Sequence, residues 1–79
     1  MAIMTKSQAK KLIDQPDKML DVLNILVDKK IISADEHRAT MLKGFSKLVE
    51  VLKAKKVINA KGATAAMKGG FASLLETIS

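Results

Sequence analysis

The stretch 31-IISADEHRATMLKGFSKLVEVLKAK-55 decides the fold class. Ser33 and Glu36 stand three apart at its start. In that spacing a serine hydroxyl accepts from the amide three residues on, and the glutamate returns a bond to the serine amide, so the pair marks a helix N-terminus. Ile32 lies one residue earlier, where a hydrophobic staple belongs. Beyond the cap, Met41, Leu42, Phe45, Leu48, Val49 and Leu52 recur at i, i+3 and i+4, the period of an amphipathic helix. Lys43, Lys47 and Glu50 take the opposite face. The pattern predicts one long helix over 34–55, with Gly44 beside the apolar stripe as a point of close contact with the helix before it.

Working outward, Thr5 and Gln8 repeat the capping spacing and predict a first helix over 6–13, carrying Ala9, Leu12 and Ile13. Asp14, Gln15 and Pro16 break it, and proline suits the first turn of the next helix. That second helix, over 16–29, is apolar around most of its circumference (Met19, Leu20, Val22, Leu23, Ile25, Leu26, Val27), which predicts a buried, central element. Downstream, Asn59 is a fair cap for a last helix running to about Thr77, unless Gly69–Gly70 splits it. The expectation is a single all-α domain over residues 1–79, a compact bundle of four short helices, or five if the last one breaks. Short connections imply antiparallel neighbours. No internal repeat is expected.

The final segment carries two rows of small residues four apart, Gly62, Ala66, Gly70 and Ala65, Gly69, Ser73. Residues at this spacing stack on one helical face. Glycine inside a helix costs about 0.5–1 kcal/mol relative to alanine, so a close neighbour is expected to offset it. Two neighbours are open: the first helix of the same chain, where Ala9 is available, or another molecule. In the second case Gly62, Ala65, Ala66, Gly69, Gly70 and Ser73 form a protein interface.

Composition narrows the function. The chain has 79 residues, no cysteine and one histidine, so disulfides are excluded and a zinc site lacks ligands. A domain of this size buries only roughly 60% of its unfolded surface and gains from a partner. Absence of cysteine suits a reducing cytoplasm. The longest apolar run, Leu23 to Val27, is interrupted by Asn24 and is too short for a membrane. The opening Met1–Met4 is followed, not preceded, by Lys6, unlike a secretory signal.

The net charge is +6. Lys10, Lys11, Lys29, Lys30, Lys53, Lys55 and Lys56 lie near expected helix C-termini, and Asp17, Asp35 and Glu36 near N-termini, where they complement the helix dipole. His37 has no orienting partner one turn away, at Ser33 or Met41, so nucleophilic catalysis is unsupported. The glycines between Gly62 and Gly70 lack the spacing of a phosphate loop. No enzyme activity, cofactor, metal or small-molecule substrate is expected.

A protein partner or self-association is therefore the leading expectation, in a small binding or regulatory protein. Nucleic acid is the alternative, through phosphate contacts by Lys43, Lys47 and Arg38. With one arginine and neither Tyr nor Trp, base readout and base stacking are poorly served. Arg38 projects into the apolar face of its helix, where it either snorkels at the core edge or contacts a carboxylate such as Asp28. A structural subunit of a larger assembly is a third possibility. The connection DKKIISADEH resembles the turn of helical hairpins in short oligomerisation segments, and the chain as a whole resembles small bacteriophage or plasmid regulators.

Overall fold

Helices form where these local signals lie, and they break where glycine is needed at positive φ. The computed structural model describes residues 3–79, so Met1 and Ala2 of the expected apolar start lie outside the described residues. Among the described residues there are six helices and no strand: α1 (Lys6–Ile13), α2 (Lys18–Asp28), α3 (Ala34–Lys43), α4 (Phe45–Ala54), α5 (Ala60–Gly69) and α6 (Phe71–Ile78). Both capping boxes form, Thr5 with Gln8 and Ser33 with Glu36, and Asn59 caps α5 by accepting from the Gly62 amide at 2.7 Å. Asp17 precedes α2 without a side-chain cap bond.

The single helix expected over 34–55 is two. Gly44 takes φ +93° and ends α3, and nothing lies within 4 Å of where its Cβ would be. It is a break, not a contact point with α2. A continuous helix over 34–55 would be roughly 33 Å long at 1.5 Å per residue. The molecule's largest extent is 28 Å. Gly70, at φ +75°, splits the last segment in the same way. The break resets the apolar stripe: Leu48, Val49 and Leu52 are buried, while Met41 and Leu42 are 49% and 82% exposed.

The two breaks belong to an internal repeat that overturns the expectation of none. Lys30 and Lys56 take φ 61° and 62°, Gly44 and Gly70 are the positive-φ glycines, and both pairs lie 26 residues apart. Ile32 and Ile58, Ser33 and Asn59, Ala34 and Ala60, Met41 and Met67, Phe45 and Phe71, and Leu48 and Leu74 share that offset. The repeating unit is an αα-hairpin entered through a buried isoleucine and a cap. Leu26 O accepts from the amides of Ile31 and Ile32 at 2.9 and 3.4 Å, and Leu52 O accepts from those of Val57 and Ile58 at 3.0 and 3.4 Å.

The pair α1–α2 is a third unit, with two additional residues in its turn. Met4, Thr5 and Ala9 correspond to Ile32, Ser33 and His37, and past the turn Val22, Leu23 and Leu26 correspond to Leu48, Val49 and Leu52. The first helix of each hairpin packs on the second helix of the previous one: α3 on α2, α5 on α4, and α1 on α6. The last contact closes a ring. The Ile3 amide donates to Ile78 O at 2.7 Å, the same bond that joins Ile31 to Leu26 and Val57 to Leu52.

The core is therefore shared by three hairpins. Leu26, Leu52 and Ile78 hold equivalent positions and are all fully buried. The second helix, expected to be central and buried all round, has no special place: Leu20 is 38% exposed, and Ile25 and Val27 are only half-buried. Phe45 and Phe71 meet with ring centroids 4.6 Å apart. Equivalent residues that touch must lie near the approximate threefold axis, so this aromatic pair marks the axis. Their equivalent in the first hairpin is Met19, also packed against the core.

Candidate docking grooves

The ring leaves a groove at two of the junctions where the second helix of one hairpin meets the first helix of the next. Between α4 and α5 the lining is Ser46, Val49, Glu50 and Lys53 on one side and Ala60, Ala63, Thr64, Met67 and Lys68 on the other, around about 560 Å³. Between α6 and α1 it is Ala72, Glu76 and Ser79 facing Lys6, Ala9, Lys10 and Ile13, around about 340 Å³. Seven lining positions correspond, while Val49 and Lys68 have no counterpart in the second lining and Lys53 is replaced by Ser79. Ala63 and Ala9 form the buried floor, Met67 and Ile13 the exposed apolar rim, and Glu50 and Glu76 the acidic position.

At the third junction, α2 against α3, two side chains bridge the helices. His37 stands where the other hairpins have Ala9 and Ala63, and Asn24 stands where they have Glu50 and Glu76. The His37 Nε2–H donates to Asn24 Oδ1 at 3.1 Å. The lone histidine does have a partner, on the neighbouring helix and not one turn away. Sequence reasoning missed this contact and the grooves alike. The signal was available in the 26-residue offset, which sets IISA at 31–34 over VINA at 57–60 and GF at 44–45 over GF at 70–71.

Electrostatically, the α4–α5 groove is lysine-flanked. Lys53 and Lys68 lie in the last turns of α4 and α5. Glu50 is engaged by Lys47 across 3.5 Å. One titrating group elsewhere is perturbed. Glu36 is held below its ordinary carboxylate value, first by the hydrogen bond from the Ser33 backbone amide and then by Lys55, whose Nζ lies 3.0 Å from Glu36 Oε1. Among the described residues no group of three or more metal-binding side chains comes together.

No protein-family model matches the chain, and neither a curated protein nor a solved structure matches it significantly.

The residues singled out from sequence are placed as follows. Ala66 is fully buried within the monomer and has no surface to offer another molecule. A Cβ on Gly62 would lie 3.2 Å from Thr77 Cγ2, and one on Gly69 would lie 2.7 Å from Ser73 Cβ, so these small residues face α6 of the same hairpin and not α1. Gly70 is the turn, and Ala65 remains exposed. Of the basic set, Arg38 is a surface side chain paired with Asp35 at 3.7 Å, neither buried nor near Asp28 in its pairing. Lys47 is drawn to Glu50, and Lys43 is exposed.

Proposed function

We propose that the protein is a non-enzymatic docking module that receives an amphipathic helix of a partner protein in the α4–α5 groove; the α6–α1 groove shares its alanine floor and acidic position but has Ser79 and Asp14 in place of Lys53 and Lys68. The observation that carries this reading is the alanine floor, apolar rim and acidic position shared by the two grooves, at junctions whose third copy is bridged by His37 and Asn24. A helix laid along Val49, Ala63 and Met67 would bury an apolar stripe. Lysines at the C-terminal ends of both flanking helices favour carboxylates on that partner helix, and the excess of positive charge speeds its approach. The apolar floor and the exposed Met67 suit an adaptable protein contact. The paired engagement of His37 by Asn24, and of the acidic residues by caps and lysines, supports binding over catalysis.

The test uses the molecule's own plug. Ala63→His with Glu50→Asn transfers the His37–Asn24 pair into the α4–α5 groove. A synthetic helix with leucines at i, i+3, i+4 and i+7 and glutamates at its flanks serves as the probe. NMR shifts in the native protein should concentrate at Val49, Ala63 and Met67 and weaken there in the plugged variant. Equal binding of a lysine-flanked probe, or shifts unaffected by the plug, would refute the reading.

A further inference from the structure

The first hairpin is the one that does not close firmly on itself. α1 and α2 make the least extensive helix contact around the ring, whereas α1 rests on α6 as extensively as α3 does on α4. A depression of about 270 Å³ lies between α1 and α2, lined by Gln8, Lys11, Leu12, Gln15, Asp21 and Ile25. On the other side, Ala9 faces Ala72 and Glu76 of α6. Ile3 and Met4, just ahead of α1, are buried, and the Ile3 amide donates to Ile78 O at 2.7 Å. Mechanically α1 belongs with the third hairpin, although the chain joins it to α2.

The connection that joins them differs from the other two turns. The pairs α3–α4 and α5–α6 each turn on a single glycine at positive φ, Gly44 or Gly70. Between α1 and α2 the connection is residues 14–17, and none of these has a positive φ. Lys18 stands 26 residues before Gly44, where the repeat would call for the turn glycine. Pro16 biases Gln15 toward extended backbone, which favours an open connection over a tight reversal. Asp17 makes no side-chain cap bond, and Lys18 Nζ reaches Ile13 O only at 3.5 Å. Little in this segment specifies that α1 must fold back on its own chain.

We infer that residues 3–13 form an exchangeable arm: in a pair of molecules each arm swings out about residues 14–17 and seats on α6 of the second copy, giving a reciprocal dimer. The occupant of the seat is fixed by the chain itself. The arm of a second copy presents the same Ile3, Met4, Ala9 and Leu12 and remakes the same bond to Ile78 O. Only the connection changes conformation. Exchange of an identical element is a low-cost route to a dimer. A short tether holds the arm near its own seat at an effective concentration of roughly millimolar, so exchange competes as the protein approaches that concentration. The α4–α5 groove lies between other helices and does not enter the exchange.

The experiment alters the connection and reads mass by sedimentation. Deleting Gln15 and Pro16 gives the first turn the length of the others, but leaves Lys18 where they have a positive-φ glycine, a backbone conformation that a side chain disfavours. This variant should form a folded dimer at a concentration roughly a hundredfold below that needed by the native protein. Adding Lys18→Gly to the deletion restores the turn and should return a monomer. The native protein should be monomeric when dilute, dimerise when refolded near the tether's effective concentration, and revert slowly on dilution, because α1 must first detach. NMR shifts of the dimer should differ from those of the monomer around residues 14–18 and hardly elsewhere. The inference is overturned if the native protein stays monomeric after concentrated refolding, if the dimer's shifts change on an exposed face and not at the connection, or if the shortened variant is a folded monomer. Should the shortened chain fail to fold, the native refolding and the shifts decide alone.

Discussion

Hairpins α3–α4 and α5–α6 share one backbone plan and fill it differently. Both enter through a left-handed lysine, a buried isoleucine and a capping residue, and both turn at a positive-φ glycine followed by phenylalanine. Between those fixed points the side chains diverge. Glu36, Thr40, Lys43 and Lys47 of the second hairpin become Gly62, Ala66, Gly69 and Ser73 of the third. The small residues let α5 and α6 approach, and this pair makes the most extensive helix contact in the molecule. In the second hairpin the buried Thr40 instead satisfies its hydroxyl on Glu36 O at 2.9 Å. A few backbone-setting positions define the hairpin, and side-chain volume at four others sets how tightly it closes. The run of small residues is what distinguishes one copy of a repeat from another.

The sharpest way to break this comparison is to delete equivalent core side chains. Leu26→Ala, Leu52→Ala and Ile78→Ala should each destabilise by about 2–5 kcal/mol, and by similar amounts. Denaturant melts measure this; a loss confined to Leu26→Ala would restore α2 as the central element and end the threefold account. Next in size is Ala66→Leu, which overpacks the close pair by about 1–3 kcal/mol. Its melting temperature should drop while the sedimenting mass is unchanged. A folded species of lower mass than the native protein would mean that the strip joins molecules.

The two turns should respond alike. Gly44→Ala and Gly70→Ala each force a Cβ into a positive-φ, extended-ψ conformation that essentially only glycine adopts, at about 1–3 kcal/mol, although open space surrounds both. Unequal losses in thermal melts would show that the turns are not equivalent. The smallest effect separates the caps. Glu36 is depressed by the Ser33 amide and Lys55, so its ionised form stabilises the fold above its unfolded value, and that contribution is lost as pH falls through the lower folded value. Acid titration of stability should therefore flatten below about pH 4.5 in Glu36→Gln relative to the native protein. The third hairpin has Gly62 at this position and no such dependence.

The grooves were legible only through the repeat. Glu50 with Ala63 and Glu76 with Ala9 are unremarkable as isolated residues. They become a pattern when Asn24 and His37 are set beside them, and that alignment needs the two-residue difference in the first turn. Arg38 shows the opposite problem. Its helical phase placed it on the apolar face, but α3 ends at Lys43 and buries only Thr40, so that face is mostly solvent.

The sequence by itself determined three helix starts, those of α1, α3 and α5. The caps at Thr5, Ser33 and Asn59 are closed by atoms at most three residues away, so no distant contact was needed to read them. It also determined the helical class, because the apolar period is a property of neighbouring residues. Only the tertiary structure decided the breaks at Gly44 and Gly70. Continuing α3 through Gly44 would cost about 1 kcal/mol in propensity, too little to dictate a break. The break is favoured because folding back buries Leu48, Val49 and Leu52 against two other hairpins, an energy that resides in residues far along the chain. Closure of the ring through Ile3 and Ile78 has the same origin: the bond is local in space and as remote as the chain allows in sequence.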